Sequence, residues 1–490
     1  MRSDIILRLT STLATLFACL VVSDCTVGPD YQRPALSMPD LFRSQEGPTS
    51  GSSIADMAWS SVFEDPALRE LISEGLRNNY DLQIAVARIN EARELVAVAR
   101  SEGLPQVGYD NFAGGEKAIV PGANSITSTT YSAFGGFINA AWEVDVWGRI
   151  RRTTEAAQAD LLAQQDVRRG VMLTLVGDLA AGYFQLIELD RELEIARDSA
   201  AAYKKTFDLF NDRYKAGKDS LLPVARTQAA YNASVANISL LTREIAQQEN
   251  ALSVLVGAPA RRIARGRPLT EQTMPPTPLG ATTDLLKRRP DILEAEQNLV
   301  GANAEIGIAI ANFYPTVGLS ALAGGQGIGI DGVVHGFSLW SAAATVAGPI
   351  FTGGRLQALY HNRQAYWDER VAQYKKTILT AFQETSDALI AQQTLVAQRA
   401  NYEDQVKALQ HSIDLALVRY DGGRASYFEV LEAQQQLYPA EYALAQTRRD
   451  QLIAVVNLYK ALGGGWSDEP AAPTKQAVIA ASQLQAERGP

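Results

Sequence analysis

The sequence predicts a mainly α-helical chain, internally duplicated, whose four β-strands suit a membrane β-barrel. Three observations carry this. Arg213 to Ala229 (RYKAGKDSLLPVARTQA) is a worn copy of Arg419 to Gln435 (RYDGGRASYFEVLEAQQ), with Arg213/Arg419, Tyr214/Tyr420, Gly217/Gly423, Ser220/Ser426, Val224/Val430 and Gln228/Gln434 identical at one offset of 206. The same offset pairs Gly148-Arg149 with Gly354-Arg355, Asp208-Leu209 with Asp414-Leu415, and Gly257 with Gly463, so the register holds over more than a hundred residues. Arg149 to Tyr214 and Arg355 to Tyr420 each run 66 residues without proline, which as one helix is about 100 Å long. Each run follows a stretch rich in glycine, aromatic and small residues.

Composition narrows the function classes. Formal charge is −9 with no basic cluster, which argues against a nucleic-acid surface. His335, His361 and His411 and the two cysteines lie far apart in sequence, so no metal-ligand spacing and no nucleophile–base constellation is visible. Arg2 and Arg8 flank an apolar run, Leu13 to Val22, followed by Val22-Ser23-Asp24-Cys25, which reads as a secretory signal (1–24) ending at a lipid-accepting cysteine. Asp24 departs from the Gly, Ala or Ser usual before such a cysteine, and the alternative is an ordinary signal with Cys25 as a free thiol. Cys19 leaves with the signal, so the mature chain has no partner for a disulfide. No later stretch is expected to reach the roughly 20 apolar residues of a membrane-spanning helix, so any membrane crossing must use strands.

Residues 25–64 begin TVGPDYQRP after the cysteine and continue Pro-, Ser- and Gly-rich, reading as an extended tether. The first repeat spans 65–257. Asp65-Pro66 opens a short helix as cap and first-turn proline, and Asn78-Asn79 interrupts it before Asp81 is expected to cap a run to Gly103. A strand pair occupies 104–147. From Ile138 the pattern alternates, with Ile138, Ala140, Trp142, Val144 and Val146 on one face and Asn139, Ala141, Glu143, Asp145 and Trp147 on the other. One apolar and one polar face suits a barrel wall between lipid and water, and equally a half-buried sheet in a soluble protein. The hairpin turn falls in Val120 to Thr130. A long helix (149–214), a glycine turn and a returning helix (219–256, Pro223 in its first turn) complete the repeat. Glycine supplies the left-handed residue that stops one helix, and Ser220 or Ser426 can cap the next.

Residues 258–289 form a linker, and the second repeat (290–463) follows the same plan: a helix from Pro290, a strand pair at 315–351, a long helix at 355–420 and a returning helix at 426–462 containing Pro439. Residues 464–490 form a C-terminal belt segment or a disordered tail. In each repeat the helix entering the strands and the helix returning from the tip together nearly match the long helix, so they can stack end to end beside it. A helical shaft follows, with strands at one end and tips at the other. Residues 36–80, 258–289 and 463–490 are expected to form a belt where the short helices meet. Four strands cannot close a barrel, because membrane barrels start at about 8, and open edges in lipid are forbidden. A chain whose strands span a membrane must therefore oligomerise. A trimer gives twelve strands and twelve helical columns, and other multiples remain allowed.

Five stretches resemble one family: Cys25-Thr-Val-Gly-Pro-Asp-Tyr31 through Pro34, Trp142-Glu-Val-Asp-Val-Trp-Gly-Arg149, Arg289-Pro-Asp-Ile292 with Ala295-Glu296, Gly348-Pro-Ile-Phe351 with Gly353-Gly-Arg355, and Asn457 to Trp466. The chain resembles the TolC-like outer-membrane factors, specifically the lipoprotein (NodT-type) branch serving RND multidrug efflux pumps. The resemblance implies a homotrimer with a twelve-stranded barrel in outer-membrane lipid, continued by a periplasmic α-helical barrel. It implies a periplasmic adaptor (membrane fusion protein) and an inner-membrane pump as partners, palmitate on Cys25, transport without catalysis and no cofactor. By position, Tyr420, Phe428 and Glu432 match the family's periplasmic constriction, and the tips around Arg213, Gly217, Arg419 and Gly423 match the adaptor contacts. Gln435 and Asp421 stand where efflux relatives carry basic residues, so a copied ionic lock is not expected.

The duplication offers a replacement. The offset of 206 pairs Lys215 with Asp421 and Arg226 with Glu432, so each equivalent ring of a tube would alternate in sign. These charges either help hold the tip closed or are solvated helix-end charges, and each exposed contact is worth at most about 1 kcal/mol. Within the duct class, a protein-secretion or metal-efflux duct is the runner-up, and five methionines give soft-metal handling no support. An exported coiled-coil scaffold would explain the helices, but not two Gly-rich strand pairs set between them.

Overall fold

The structure is a computed structural model that describes residues 26–36, 39, 41–43, 53–121, 126–280, 282–330 and 333–464. The expectations for the signal segment, for Cys25 and for residues 465–490 lie outside the described residues. Eleven principal elements follow in order: α1 Pro66–Asn78, α2 Tyr80–Ser101, β1 Gln106–Pro121, β2 Ile126–Val144, α3 Arg149–Lys215, α4 Leu221–Leu255, α5 Pro290–Ala311, β3 Thr316–Ile330, β4 Val333–Ala347, α6 Arg355–Asp421 and α7 Tyr427–Ala461. The offset of 206 relates both ends of α3 to those of α6, and both ends of α4 to those of α7.

Local chemistry sets the helix ends. Asp65 caps α1 by accepting from the Ala67 and Leu68 amides, with Pro66 at the first helical position, where its missing N–H costs nothing. The break before α2 is made by Asn79, not Asp81. Asn79 Oδ1 accepts from the Leu82 amide at 3.0 Å while its Nδ2 donates to the Leu255 carbonyl at 2.8 Å, and Asp81 already lies in the first turn. At the two tips Gly217 (φ 70°) and Gly423 (φ 64°) take the left-handed conformation, and the Lys218 and Arg424 amides reach back to the Arg213 and Arg419 carbonyls, both at 2.8 Å. The same Schellman closure thus ends both long helices. Ser426 caps α7 by accepting from the Phe428 amide at 3.2 Å, whereas Ser220 makes no such bond at the start of α4.

Backbone contacts divide the chain into two compact units. Unit 1 contains residues 87–165 and 294–375 with the N-terminal segment. Its sheet is antiparallel in the order β1-β2-β3-β4, so the strand pairs of the two repeats join through β2 and β3. The start of α3 packs on α5 through small residues, a Cβ on Gly301 lying 3.7 Å from that of Ala159. Residues 26–33 strap across these helices. The Val27 amide donates to the Trp147 carbonyl, Arg152 donates to Asp30 and Asn303 to the Pro29 carbonyl, and Arg33 forms a forked pair with Glu296, both bonds 2.6 Å.

Unit 2 contains residues 36–86, 166–293 and 376–490. Leu189 and Ala196 of α3 pack with Leu241 of α4 and Tyr442 of α7, while Val406 of α6 packs with Leu437 and Ala440 of α7. Segments 54–78 and 258–289 lie together on these helices. Asp65 accepts from the Arg267 amide and from Gln272, and the Ile54 amide donates to the Pro278 carbonyl. Contrary to the expectation from the sequence, one window of α3 has the length and mean hydropathy (1.5) of a membrane span, but most of it is buried. Val176, Leu179, Ala180, Tyr183 and Leu186 are wholly enclosed, which marks a core helix.

Candidate functional site: the paired hairpin tips and the two-faced sheet

The tips lie in unit 2, where α3 turns into α4 and α6 into α7. Each turn is braced by its own arginine. Arg213 Nε lies 2.9 Å from Asp219 Oδ2, and Arg419 Nη1 lies 3.4 Å from Glu429 Oε2. These acids are not equivalent in the repeat, so the two copies reach the same brace by different residues. Gly217 and Gly423 are exposed, as are Lys215, Asp421, Arg226 and Glu432. Among the described residues, no ion pair joins Lys215 to Asp421 or Arg226 to Glu432 within the chain.

An aromatic cluster sits between the tips. Tyr420, half-buried, meets Tyr427 edge-on, with ring centres 5.0 Å apart and planes at 82°. Tyr427 also packs edge-on against Phe210 of α3 at 5.2 Å, and its hydroxyl lies 2.7 Å from Thr206 Oγ1. Burial pushes the Tyr427 phenol up. Phe428, 50% exposed, lies under the guanidinium of Arg226, which is 5.2 Å from the ring centre. Of the residues singled out from the sequence, the structure brings together Phe428 and Arg226, so that Arg226 meets Phe428 rather than Glu432, while Tyr420 meets Tyr427. Tyr427, Thr206 and Phe210 were missed. A signal was available, because the aromatic pair Tyr427-Phe428 stands where the first copy has Leu221-Leu222.

A second polar cluster in unit 2 joins α3 to α7. Glu188 is 1% exposed, and its carboxyl is pushed up to about 8 by burial and by neighbouring Glu192. Gln185 donates to it at 2.7 Å, Arg449 lies 3.4 Å away, and Gln446 donates to Glu192 at 2.8 Å.

In unit 1 the sheet register sorts side chains by face. Tyr109, Ile138, Ala323 and Trp340 align across the four strands, as Trp142, Leu319 and Ala344 do across three. Next to the helices that face is apolar, with Val107, Ala140, Val317, Ala342 and Val346 beside these residues, and farther along it carries Asn111, Lys117, Thr130, Ser132 and Ser338. The opposite face carries Gln106, Asp110, Asn139, Glu143, Ser320, Gln326, Ser341 and Thr345, with a few aromatic rings among them. Asn139 and Asp110 are hydrogen-bonded there. Within the described residues β1 and β4 each have one unpaired edge.

Comparison with known proteins gives one consistent answer. The family model described as outer membrane efflux protein matches residues 71–258 and 282–464. The solvent efflux pump outer membrane protein SrpC of Pseudomonas putida is 35% identical over 461 residues, covering 92% of this chain and 98% of that protein. The cation efflux system protein CusC of Escherichia coli O157:H7 is 29% identical over 455 residues, 91% of this chain and 97% of its own. Among solved structures, the outer-membrane channel OprN superposes with a TM-score of 0.81 at 27% identity, covering 90% of this chain and all of that one.

Proposed function

Because the chain belongs to the outer membrane efflux protein family, we propose that it is a passive exit duct, which takes cargo from a periplasmic adaptor and an inner-membrane pump and releases it outside the cell. The single observation that carries this reading is the sheet. Near the helices one face is apolar while the opposite face carries most of the sheet's polar side chains, and within the described residues both edges are open. An unpaired edge costs several kcal/mol per group in hydrocarbon, so the strands can span a membrane only if other copies pair with β1 and β4. Three copies give twelve strands, within the range of closed membrane barrels. The apolar face then meets lipid and the polar face lines water.

The N-terminal strap supports a lipid anchor at Cys25. Thr26 packs on Gly148, and the Val27 amide is bonded to Trp147. Trp147 is itself stacked on Tyr314 at 4.6 Å and donates to the Pro315 carbonyl at 2.7 Å. Paired aromatic rings beside strand ends suit the headgroup level of a membrane, so an acyl group one residue before Thr26 would enter the lipid beside β2. The tips are the periplasmic mouth, where the adaptor docks and the gate lies. The cargo named for SrpC, solvent, supports small organic molecules as the class carried, since that relative is more similar than the cation-system protein.

The test is reconstitution. Full-length protein extracted in detergent should migrate unheated as a trimer, shift to monomer on heating, and form discrete conductances in planar bilayers. Cys25→Ser should lose incorporation of labelled palmitate. A monomer that washes off membranes without detergent would overturn the duct reading.

A further inference from the structure

We propose that Tyr427 and Phe428 form a clasp by which the second hairpin grips the first, with Arg226 and Phe428 as its outer latch, and that release of this clasp opens the periplasmic mouth. The proposal rests on reading the tips as the gate of a duct.

Two consecutive residues of α7 reach both helices of the other hairpin. Tyr427 is the inner anchor. Its hydroxyl is bonded to Thr206, which is 4% exposed, and its ring packs on Phe210, which is 6% exposed. Both partners lie on α3. Phe428 points the other way, into solvent, and is held by Arg226 of α4. A cation over a ring face is an orientation-dependent contact that survives in water, because the guanidinium keeps its edge hydration while its plane covers the ring. The contact is weak enough to open and specific enough to close again. It also gives the exposed Phe428 a reason to be aromatic, since an apolar plug alone would be served by leucine.

The duplication shows that the device is one-sided. The equivalent positions in the first hairpin are Leu221 and Leu222, 58% and 60% exposed, and neither can bond a hydroxyl or accept a cation on a ring face. The clasp therefore joins the two hairpins of one chain, and the next boundary around a ring of chains lacks its copy. It also engages Arg226 with a ring, which leaves charge alternation between Arg226 and Glu432 a secondary part.

An exposed cation–ring contact changes an equilibrium by about threefold, and three clasps opening together would change it on the order of thirtyfold. Full-length trimers in planar bilayers provide the measurement. Phe428→Leu keeps an apolar plug but removes the ring face, and Arg226→Gln keeps a polar side chain but removes the cation. Each should raise resting open probability by that factor, the double variant should rise no further than either single, Arg226→Lys should retain most of the closure, and Glu432→Gln should match the parent. Singles at the parent level, or a double variant showing the product of both effects, overturn the clasp. Arg226→Cys with Phe428→Cys replaces the latch by a removable bond. A short bis-thiosulfonate linker should return the raised conductance to the parent level and reductant should raise it again, whereas linkage without closure overturns the proposal. A parent protein that never conducts would refute the duct itself, and failure of the two cysteines to cross-link within a chain would then still decide against the clasp.

Discussion

Replacing Arg289 by methionine should loosen the junction where the second repeat begins. This side chain is 8% exposed and serves three partners. Nε and Nη2 bond both carboxylate oxygens of Asp291 at 3.1 and 2.7 Å, Nη2 also meets Glu384 Oε2 of α6 at 2.8 Å, and Nη1 donates to the Ala461 carbonyl at 2.9 Å. The two acids are 44% and 50% exposed. They rehydrate when the guanidinium is lost, so each contributes only about 1 kcal/mol or less. The Ala461 carbonyl is different. It is one of the last acceptors of α7 on a residue 3% exposed, and leaving such a group unpaired costs about 1–3 kcal/mol. The sum is about 1–5 kcal/mol, or a roughly 5-fold to several-thousand-fold rise in the open population of the junction. Thermolysin cleavage of the native protein in detergent, at concentrations where cleavage is slow relative to reclosing, reads that population directly. Arg289→Lys should fall between methionine and the parent, because one ammonium cannot serve all three partners. If Arg289→Met is cleaved no faster than Glu384→Gln, the buried carbonyl is not what the arginine supports.

Three other outcomes follow from the same structure. Asp421→Lys combined with Glu432→Lys makes both tip rings uniformly positive and should raise resting conductance in planar bilayers; conductance equal to the parent would show these charges to be merely solvated. Gly423→Ala meets no atom within 4 Å but must keep φ near +64°. It should therefore cost about 1–2 kcal/mol of backbone strain and speed proteolysis at that tip severalfold, and an unchanged rate would contradict the strain argument. The folded chain holds the Glu188 proton more tightly than the unfolded chain, so stability should fall as pH rises from the ordinary carboxyl range to about 8 and level off above it. The temperature of trimer dissociation on gels, followed against pH, should show this fall in the parent and a flatter profile in Glu188→Gln; equal slopes would exclude Glu188 as its source.

Much of this architecture was legible because its markers are local. Glycine at a left-handed turn, proline in a first turn and serine at a cap act within a few residues, so Gly217, Gly423, Pro66 and Ser426 stand where the sequence placed them. What was not legible depends on partners distant in sequence. Asn79 and Asp81 are both acceptable caps, and Asn79 was settled by the Leu255 carbonyl, 176 residues away. The apolar window of α3 looks like a membrane span only until its neighbours in unit 2 are counted. Arg226 was matched to Glu432 by repeat arithmetic, but a ring one turn earlier on α7 lay nearer its guanidinium. The strap over α5 reads from sequence as an extended tether, because nothing in TVGPDYQRP indicates that Arg33 will find Glu296.

The two strand hairpins differ in length, and the place where they differ is informative. Ala141 and Ala347, which face the first residues of β1 and β3, keep the offset of 206, whereas Gln106 and Thr316 are separated by 210. Four residues were therefore gained or lost somewhere between the base pairs of the hairpins. An antiparallel ladder can change length there in steps of two without turning its apolar face inward, whereas a single residue inserted near the base would invert a whole strand. Insertions that carry an epitope or an affinity tag should accordingly be tolerated between β1 and β2 or between β3 and β4, while the four positions that join strand to helix have no such slack.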